Sequence, residues 1–150
     1  AKLASFVPIS HKQINYFKEK YLRFIHPEFV KFVSDENNKL VAFAITMPSY
    51  AKAMQKAGGH LFPFGFLHLL KAKRKNDTVD FYLIGVLPEY QKKGVTSIIF
   101  SEYFKTYKKH HIKIARRTPE LEDNQDIQLI WKNFNPKIYI RRATFLKKIH

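Results

Sequence analysis

A chain of 150 residues with a formal net charge of +15 and no cysteine is long enough to bury, as one domain, about two thirds of the surface its unfolded form exposes. The missing cysteines exclude a disulfide framework, a thiolate metal site and a cysteine nucleophile, and make a reducing, cytoplasmic setting the natural expectation. The charge favours an anionic partner such as a nucleotide cofactor, nucleic acid, an acidic lipid surface or an acidic substrate. It does not choose among them, and its clusters at Lys71 to Lys75, Lys105 to Lys113, Arg116-Arg117 and Arg141 to Lys148 are better explained as solvated faces.

No uninterrupted apolar run reaches the roughly 20 residues a membrane span needs, and Ala1 does not open a signal-like segment, so a soluble protein is expected. The chain lacks an initiator Met, which keeps a missing partner domain or a homo-oligomer open.

Leu3 to Val7 reads as an opening strand. Ser10 and Gln13 form a capping box at a helix start, with Ile9 and Ile14 placed to close a hydrophobic staple across it. Ile14, Phe17, Tyr21, Phe24 and Ile25 fall on one face of that helix, and Pro27 ends it. Phe29 to Val33 and Leu40 to Met47 are strand-like and are joined by turn formers from Ser34 to Lys39, which predicts a hairpin. Ser49 to Ala57 predicts a short helix stopped by Gly58-Gly59.

The apolar stretch from Phe62 to Leu70 has three readings. It fits core or a contact with a missing domain best, then a lid over an acceptor site, then an interfacial segment touching a membrane. Pro63 and Gly65 argue against one clean amphipathic helix there.

Phe81 to Val86 predicts a strand and Ser97 to Lys109 a helix. A strand at Ile112 to Arg116, a helix from about Asp123 to Phe134 and a final strand region from Ile138 to Ile149 complete the order. Interleaved strands and helices with an early antiparallel hairpin imply an α/β (α+β) fold, a three-layer mixed sheet flanked by helices, in a single domain spanning 1–150.

The segment between the strand ending at Val86 and the next helix is the most informative. Leu87-Pro88-Glu89-Tyr90-Gln91-Lys92-Lys93-Gly94-Val95-Thr96 is a short basic loop with one glycine that opens into a helix. The glycine permits close backbone approach, the helix start offers unpaired N–H groups with about half a positive charge, and Lys92 and Lys93 add two full charges. Such a loop is built to hold phosphate. Val86, Pro88, Gln91 and Gly94 resemble the acyl-CoA signature of the GNAT N-acetyltransferases, usually Gln/Arg-x-x-Gly-x-Gly/Ala, and Thr96 stands where that family has Gly or Ala.

The resemblance implies an acyl-CoA-dependent N-acyltransferase that moves an acyl group from acetyl-CoA or another acyl-CoA to an amine acceptor the sequence does not identify. It places Ile84, Gly85, Val86 and Leu87 beside the pantetheine arm and Gln91, Lys92, Lys93, Gly94, Val95 and Thr96 on the pyrophosphate. Asn124 matches an Asn that family members often carry near the cofactor. Seven residues later, where many members have a tyrosine that protonates the leaving thiolate, this chain has Trp131. Tyr139 is a substitute for that acid. For a base, Asp80 matches a carboxylate of some histone-acetylating members, with Glu120 and Glu122 as rivals.

The seven histidines offer no ligand spacing, so no metal is expected. The first alternative is a GNAT-like scaffold without turnover. A basic nucleic-acid-binding domain ranks lower, because the chain shows no RNA-recognition or zinc-finger signature.

Overall fold

The computed structural model describes residues 10–21 and 25–147. Helices α1 (His11–Tyr21), α2 (Ala51–Lys56), α3 (Gly65–Arg74), α4 (Val95–Lys109) and α5 (Gln125–Lys132) are interleaved with strands β1 (Val30–Ser34), β2 (Leu40–Pro48), β3 (Thr78–Val86) and β4 (Ile114–Arg117), β1 running into β2 and α2 into α3. The expected strand at Leu3 to Val7, Ile9 of the staple, and Phe24 lie outside the described residues. The strands form one mixed sheet in the order β1-β2-β3-β4, with the pairs β1–β2 and β2–β3 antiparallel. The chain divides into two compact units, Ala1–Arg116 and Arg117–His150.

Local signals in the sequence account for several element ends. The capping box forms as expected: the Ser10 N–H donates to Gln13 Oε1 at 2.8 Å, and the Gln13 N–H donates to Ser10 Oγ at 3.3 Å. The β1–β2 turn is organised by Asp35, whose Oδ1 accepts from the N–H groups of Asn37 at 2.9 Å and Lys39 at 3.0 Å.

The core of the first unit lies between the sheet and α4. Val95, Ile99, Tyr103 and Thr106 recur at helical spacing and are all buried, so one stripe of α4 faces inward. Phe29, Ala44, Val79 and Phe81 are buried as well, and the Tyr103 ring meets that of Phe81 edge-on at 5.6 Å. Two buried hydroxyls share one acceptor, the Phe29 carbonyl, with Tyr103 donating at 3.1 Å and Thr46 at 3.3 Å. Each would cost more free energy if left unpaired than it contributes when paired, so the pair fixes how α4 sits on the sheet.

Two expectations are corrected. Pro63 and Gly65 do not prevent a helix, because α3 starts at Gly65 itself and runs ten residues to Arg74. Pro63 lies ahead of the first turn, where its missing N–H removes no helical bond. Gly65 is required there because a Cβ would overlap the His60 carbonyl. The final strand region is also absent, since residues 138–147 have no regular structure. Ile138, Tyr139 and Ile140 favour a strand only where a pleated, half-buried surface exists to receive them, and all three are exposed.

Glu28 ties the turn before β1 to the end of α4, bonding Lys109 Nζ at 2.6 Å and His110 Nε2 at 2.5 Å. Those bonds, Lys109 first, lower its pKa from 4.5 to about 2. A carboxylate with a depressed folded pKa stabilises fully above its unfolded value and loses that contribution as pH falls. Wild-type stability is therefore expected to fall between pH 4.5 and about 2 partly through Glu28, and Glu28→Gln to flatten that limb in urea titrations at several pH values. An unchanged slope would contradict the assignment.

Candidate functional site

The ladder between β2 and β3 decides which way the backbone of β3 points. Its register pairs Ala42 with Val86, Phe43 with Gly85, Ala44 with Ile84 and Ile45 with Leu83, then shifts so that Thr46 meets Phe81. Tyr82 is the extra residue of a β-bulge, a feature that bends and twists a strand. Beyond the strand end, the Leu87 N–H donates to the Val41 carbonyl at 2.9 Å. In an antiparallel ladder the bonded positions alternate, so Leu87, Gly85 and Leu83 turn their polar groups toward β2, whereas Ile84 and Val86 turn theirs away. The Val86 carbonyl accordingly accepts from Gln91 Nε2 at 3.3 Å on the far side.

On that far side the sheet is short. The strand β4 has four residues against nine in β3, and it begins beside Asp77, whose carbonyl accepts from the N–H groups of Lys113 at 2.7 Å and Ile114 at 3.1 Å. At matching rise per residue it runs out near Phe81. The polar backbone of Ile84 and the N–H of Val86 are thus left on an edge without a strand partner among the described residues. Gly85 has a structural reason of its own, because a Cβ there would meet the Phe43 ring at 2.7 Å.

The loop after β3 is shaped by two left-handed residues, Lys92 with φ 61° and Gly94 with φ 79°. Gly94 is the N-cap of α4, and no side chain caps this helix end. A fifteen-residue helix that starts uncapped presents the N–H groups of Val95 and Thr96 with no intrahelical acceptor, together with the positive end of its dipole. Gln91, Lys92 and Lys93 are exposed around it, and Lys93 Nζ lies 5.5 Å from the Tyr90 ring centre.

The loop is latched to the β1–β2 turn. The Tyr90 hydroxyl donates to Asp35 Oδ2 at 2.8 Å, and Lys39 pairs with Glu89 at 3.3 Å. The Tyr90 bond, with the Lys39 and Asn37 N–H groups, holds the Asp35 carboxyl below its ordinary value, and the same bond raises the Tyr90 phenol. Because Asp35 is depressed, the latch holds at neutral pH and weakens only as pH falls through that lowered value. Sequence reading missed it, since nothing in the spacing of Asp35 and Tyr90 couples them before the hairpin brings the turn back to the loop.

Asp80, the expected base in this unit, is ion-paired. Arg116 Nε donates to its Oδ1 at 2.8 Å, and Arg116 also bonds Ser49 Oγ. This arrangement anchors the bottom of β3 to β4.

The second unit holds the remaining expected residues. Asn124 is the N-cap of α5 and accepts from the Ile127 N–H at 3.4 Å. Trp131 is buried at 8% exposure, and its indole N–H donates to Glu120 Oε1 at 3.0 Å. The other oxygen of Glu120 pairs with Arg117 at 2.8 Å, and the Arg117 guanidinium lies 5.7 Å from the Trp131 ring centre. Glu120 and Trp131 are thereby committed to each other. Glu122 is open to solvent, with 81% of its side chain accessible and Arg141 at 3.9 Å. Tyr139 is 64% exposed.

Two of the cavities formed by the described residues are lined by other side chains. One of about 190 Å³ is lined by His26, Tyr50, Lys73, Arg74, Asn76 and His110, at the end of β3 opposite the loop. It is smaller than sites for nucleotide-sized ligands, roughly 300–1,000 Å³. The other, about 550 Å³, runs along α5 past Glu122, Gln128 and Leu129. No group of metal-binding side chains occurs among the described residues.

The conformation of Gly94 gives a direct check. Nothing lies within 4 Å of where a Cβ would be, so the penalty of Gly94→Ala comes from its positive φ alone, about 1–2 kcal/mol. Urea denaturation should show that loss for Gly94→Ala and a smaller one for Gly94→Asn, which tolerates the left-handed region. Equal losses would mean that crowding, and not φ, selects glycine.

No family model matches the chain, and no curated protein sequence matches it. Among solved structures, the aminoglycoside 6'-N-acetyltransferase AAC(6')-Ih from Acinetobacter baumannii matches with a TM-score of 0.57 at 15% identity, over 96% of this chain and 97% of that one. AAC(6')-Iy, in complex with the bisubstrate analogue CoA-S-monomethyl-acetylneamine, matches with 0.55 at 12% identity, over 93% of this chain and 82% of that one. A tetramutant of the BH1408 protein from Bacillus halodurans matches with 0.56 at 14% identity over 79% of this chain, which spans 65% of that protein's length. Likeness at such identities is a likeness of fold, and the chain has the acyl-CoA N-acyltransferase fold shared by the GNAT acetyltransferases.

Proposed function

We propose that this chain binds acetyl-CoA or a related acyl-CoA and transfers the acyl group to an amine. The observation that carries the reading is the unpartnered edge of β3 at Ile84 and Val86, leading through a basic loop to the uncapped start of α4. An extended pantetheine arm adds to such an edge as a strand would, through main-chain hydrogen bonds. The pyrophosphate fits the N–H groups of Val95 and Thr96, with Lys92 and Lys93 around it. The family resemblance at Gln91 and Gly94, and the acetyltransferase neighbours, support the same reading.

An acyl thioester supplies a carbonyl already activated toward an amine. The chain's own part is to hold it and admit the acceptor, which replaces a chance encounter by a bound geometry. Dedicated proton transfer is poorly provided for. Asp80 is paired with Arg116, Glu120 is doubly engaged, and the Trp131 indole is no useful acid at neutral pH. Glu122 and Tyr139 are exposed to solvent. Turnover in this reading rests on positioning, with the amine deprotonated by solvent.

Calorimetry with acetyl-CoA and CoA tests the binding half. Binding is expected, and Lys92→Glu with Lys93→Glu should weaken it by about tenfold or more, equivalent to about 1.4 kcal/mol. No binding at millimolar cofactor by folded protein would contradict the reading. In the same preparations, Asp80→Asn, Glu122→Gln and Tyr139→Phe should each leave kcat/KM within about tenfold, whereas a lost general acid or base costs about 10²–10⁴-fold.

The bond between Trp131 and Glu120 favours a second reading, a CoA-binding scaffold without turnover. Cofactor binding with no acyl transfer over a broad amine panel would select it.

A further inference from the structure

We propose that the segment from Leu61 to Lys75, including α3, docks this protein on an anionic lipid bilayer surface. Its apolar side chains are turned outward: Phe62 is 86% exposed and Phe64 70%, and Leu61, Phe66, Leu67 and Leu70 are exposed as well. Scattered exposed apolar residues are ordinary, but six within ten positions, in the turn before α3 and on its first turns, are not.

The charge of the segment names the partner. Between Ser49 and Asn76 there is no acidic residue and there are six lysines and arginines. Lys52 pairs with Asp77 at 3.5 Å. Lys56, Lys71, Lys73, Arg74 and Lys75 have no ion-pair partner among the described residues. The side chains are also ordered along the helix axis. Phe66, Leu67 and Leu70 occupy the first turns of α3, and Lys71, Lys73 and Arg74 the last.

At 1.5 Å per residue, Phe66 and Lys73 are separated by about 10 Å. That is close to the roughly 5–10 Å over which a bilayer passes from headgroups to acyl chains. A helix entering by its N-terminal end would put Phe62, Phe64, Phe66 and Leu67 among acyl chains while its last-turn cations reach the phosphates. An aliphatic and aromatic tip followed along the helix by cations is complementary to an anionic leaflet. Nucleic acid would give the leucines nothing to bury against. The association is peripheral, since no helix among the described residues is long and apolar enough to cross a membrane. The proposal is independent of the acyl-CoA reading, because it uses none of those residues.

The test is co-sedimentation of the whole chain with phosphatidylcholine vesicles that contain roughly one third phosphatidylserine, and with pure phosphatidylcholine, at about 0.1 M salt. Partition is expected on the anionic vesicles and not on the neutral ones. Phe62→Ser with Phe64→Ser should lower it at least tenfold, and so should Lys71→Glu with Lys73→Glu. Since Phe62 and Phe64 are exposed, an unchanged thermal melt should accompany the loss.

As a second readout, the emission of Phe62→Trp should shift to the blue on anionic vesicles. Absence of partition would overturn the proposal. So would partition unaffected at Phe62 and Phe64, which would mean simple adsorption of a basic protein. A concentration-dependent dimer abolished by Phe62→Ser with Phe64→Ser, in the absence of partition, would assign the patch to a second copy of the chain instead.

Discussion

The site depends on a mismatch in strand length. A nine-residue β3 lies between a β2 that pairs along most of it and a β4 of only four residues. Hydrogen bonding along one edge fixes which carbonyls and amides point the other way, and the early end of β4 leaves those of Ile84 and the N–H of Val86 open, the Val86 carbonyl being taken by Gln91. Backbone groups left open inside a sheet are costly unless water or a ligand reaches them. An extended ligand with its own amides is a chemically apt partner for them. The Asp80 ion pair with Arg116 holds the closed end of the same strand pair, so one end is fastened while the other opens.

The basic loop at the end of β3 supplies the charge. Its own helix does not hold it, because α4 starts without a side-chain cap. It is held from outside by Asp35, which builds the β1–β2 turn with one oxygen and takes the Tyr90 hydroxyl with the other. Capping α4 internally would occupy the N–H groups that an anion needs. The outside latch orders the loop while leaving them free.

Most elements were legible in the sequence where a local signal sufficed. The capping box at Ser10 and Gln13, the turn formers between the hairpin strands, and the Gly58-Gly59 stop all act over a few residues, and each stands where it was read. The basic loop and its helix were legible for the same reason. Residues whose partners are distant in sequence were not. Asp35 meets Tyr90 only after the hairpin forms, and the pairing of Asp80 with Arg116, 36 positions away, leaves no local trace. The bond of the Trp131 indole to Glu120, 11 positions away, leaves none either. The strand expected from Ile138 onward failed because β propensity measures fit to a neighbour, and composition could not say whether one was there. The helix α3 is hidden for the opposite reason: Pro63 reads as a breaker inside the apolar run, whereas the helix begins after it, at Gly65.

The central claim, that the open edge of β3 is where the cofactor lies, is tested most directly by amide hydrogen exchange resolved at single residues, with and without CoA. Gly85 and Leu87, bonded to β2, should exchange slowly in both states. The amides of Ile84 and Val86 should exchange fast in the free protein and become protected on saturation with CoA. Protection of Ile84 and Val86 before CoA is added, or none after it has bound, would contradict the claim.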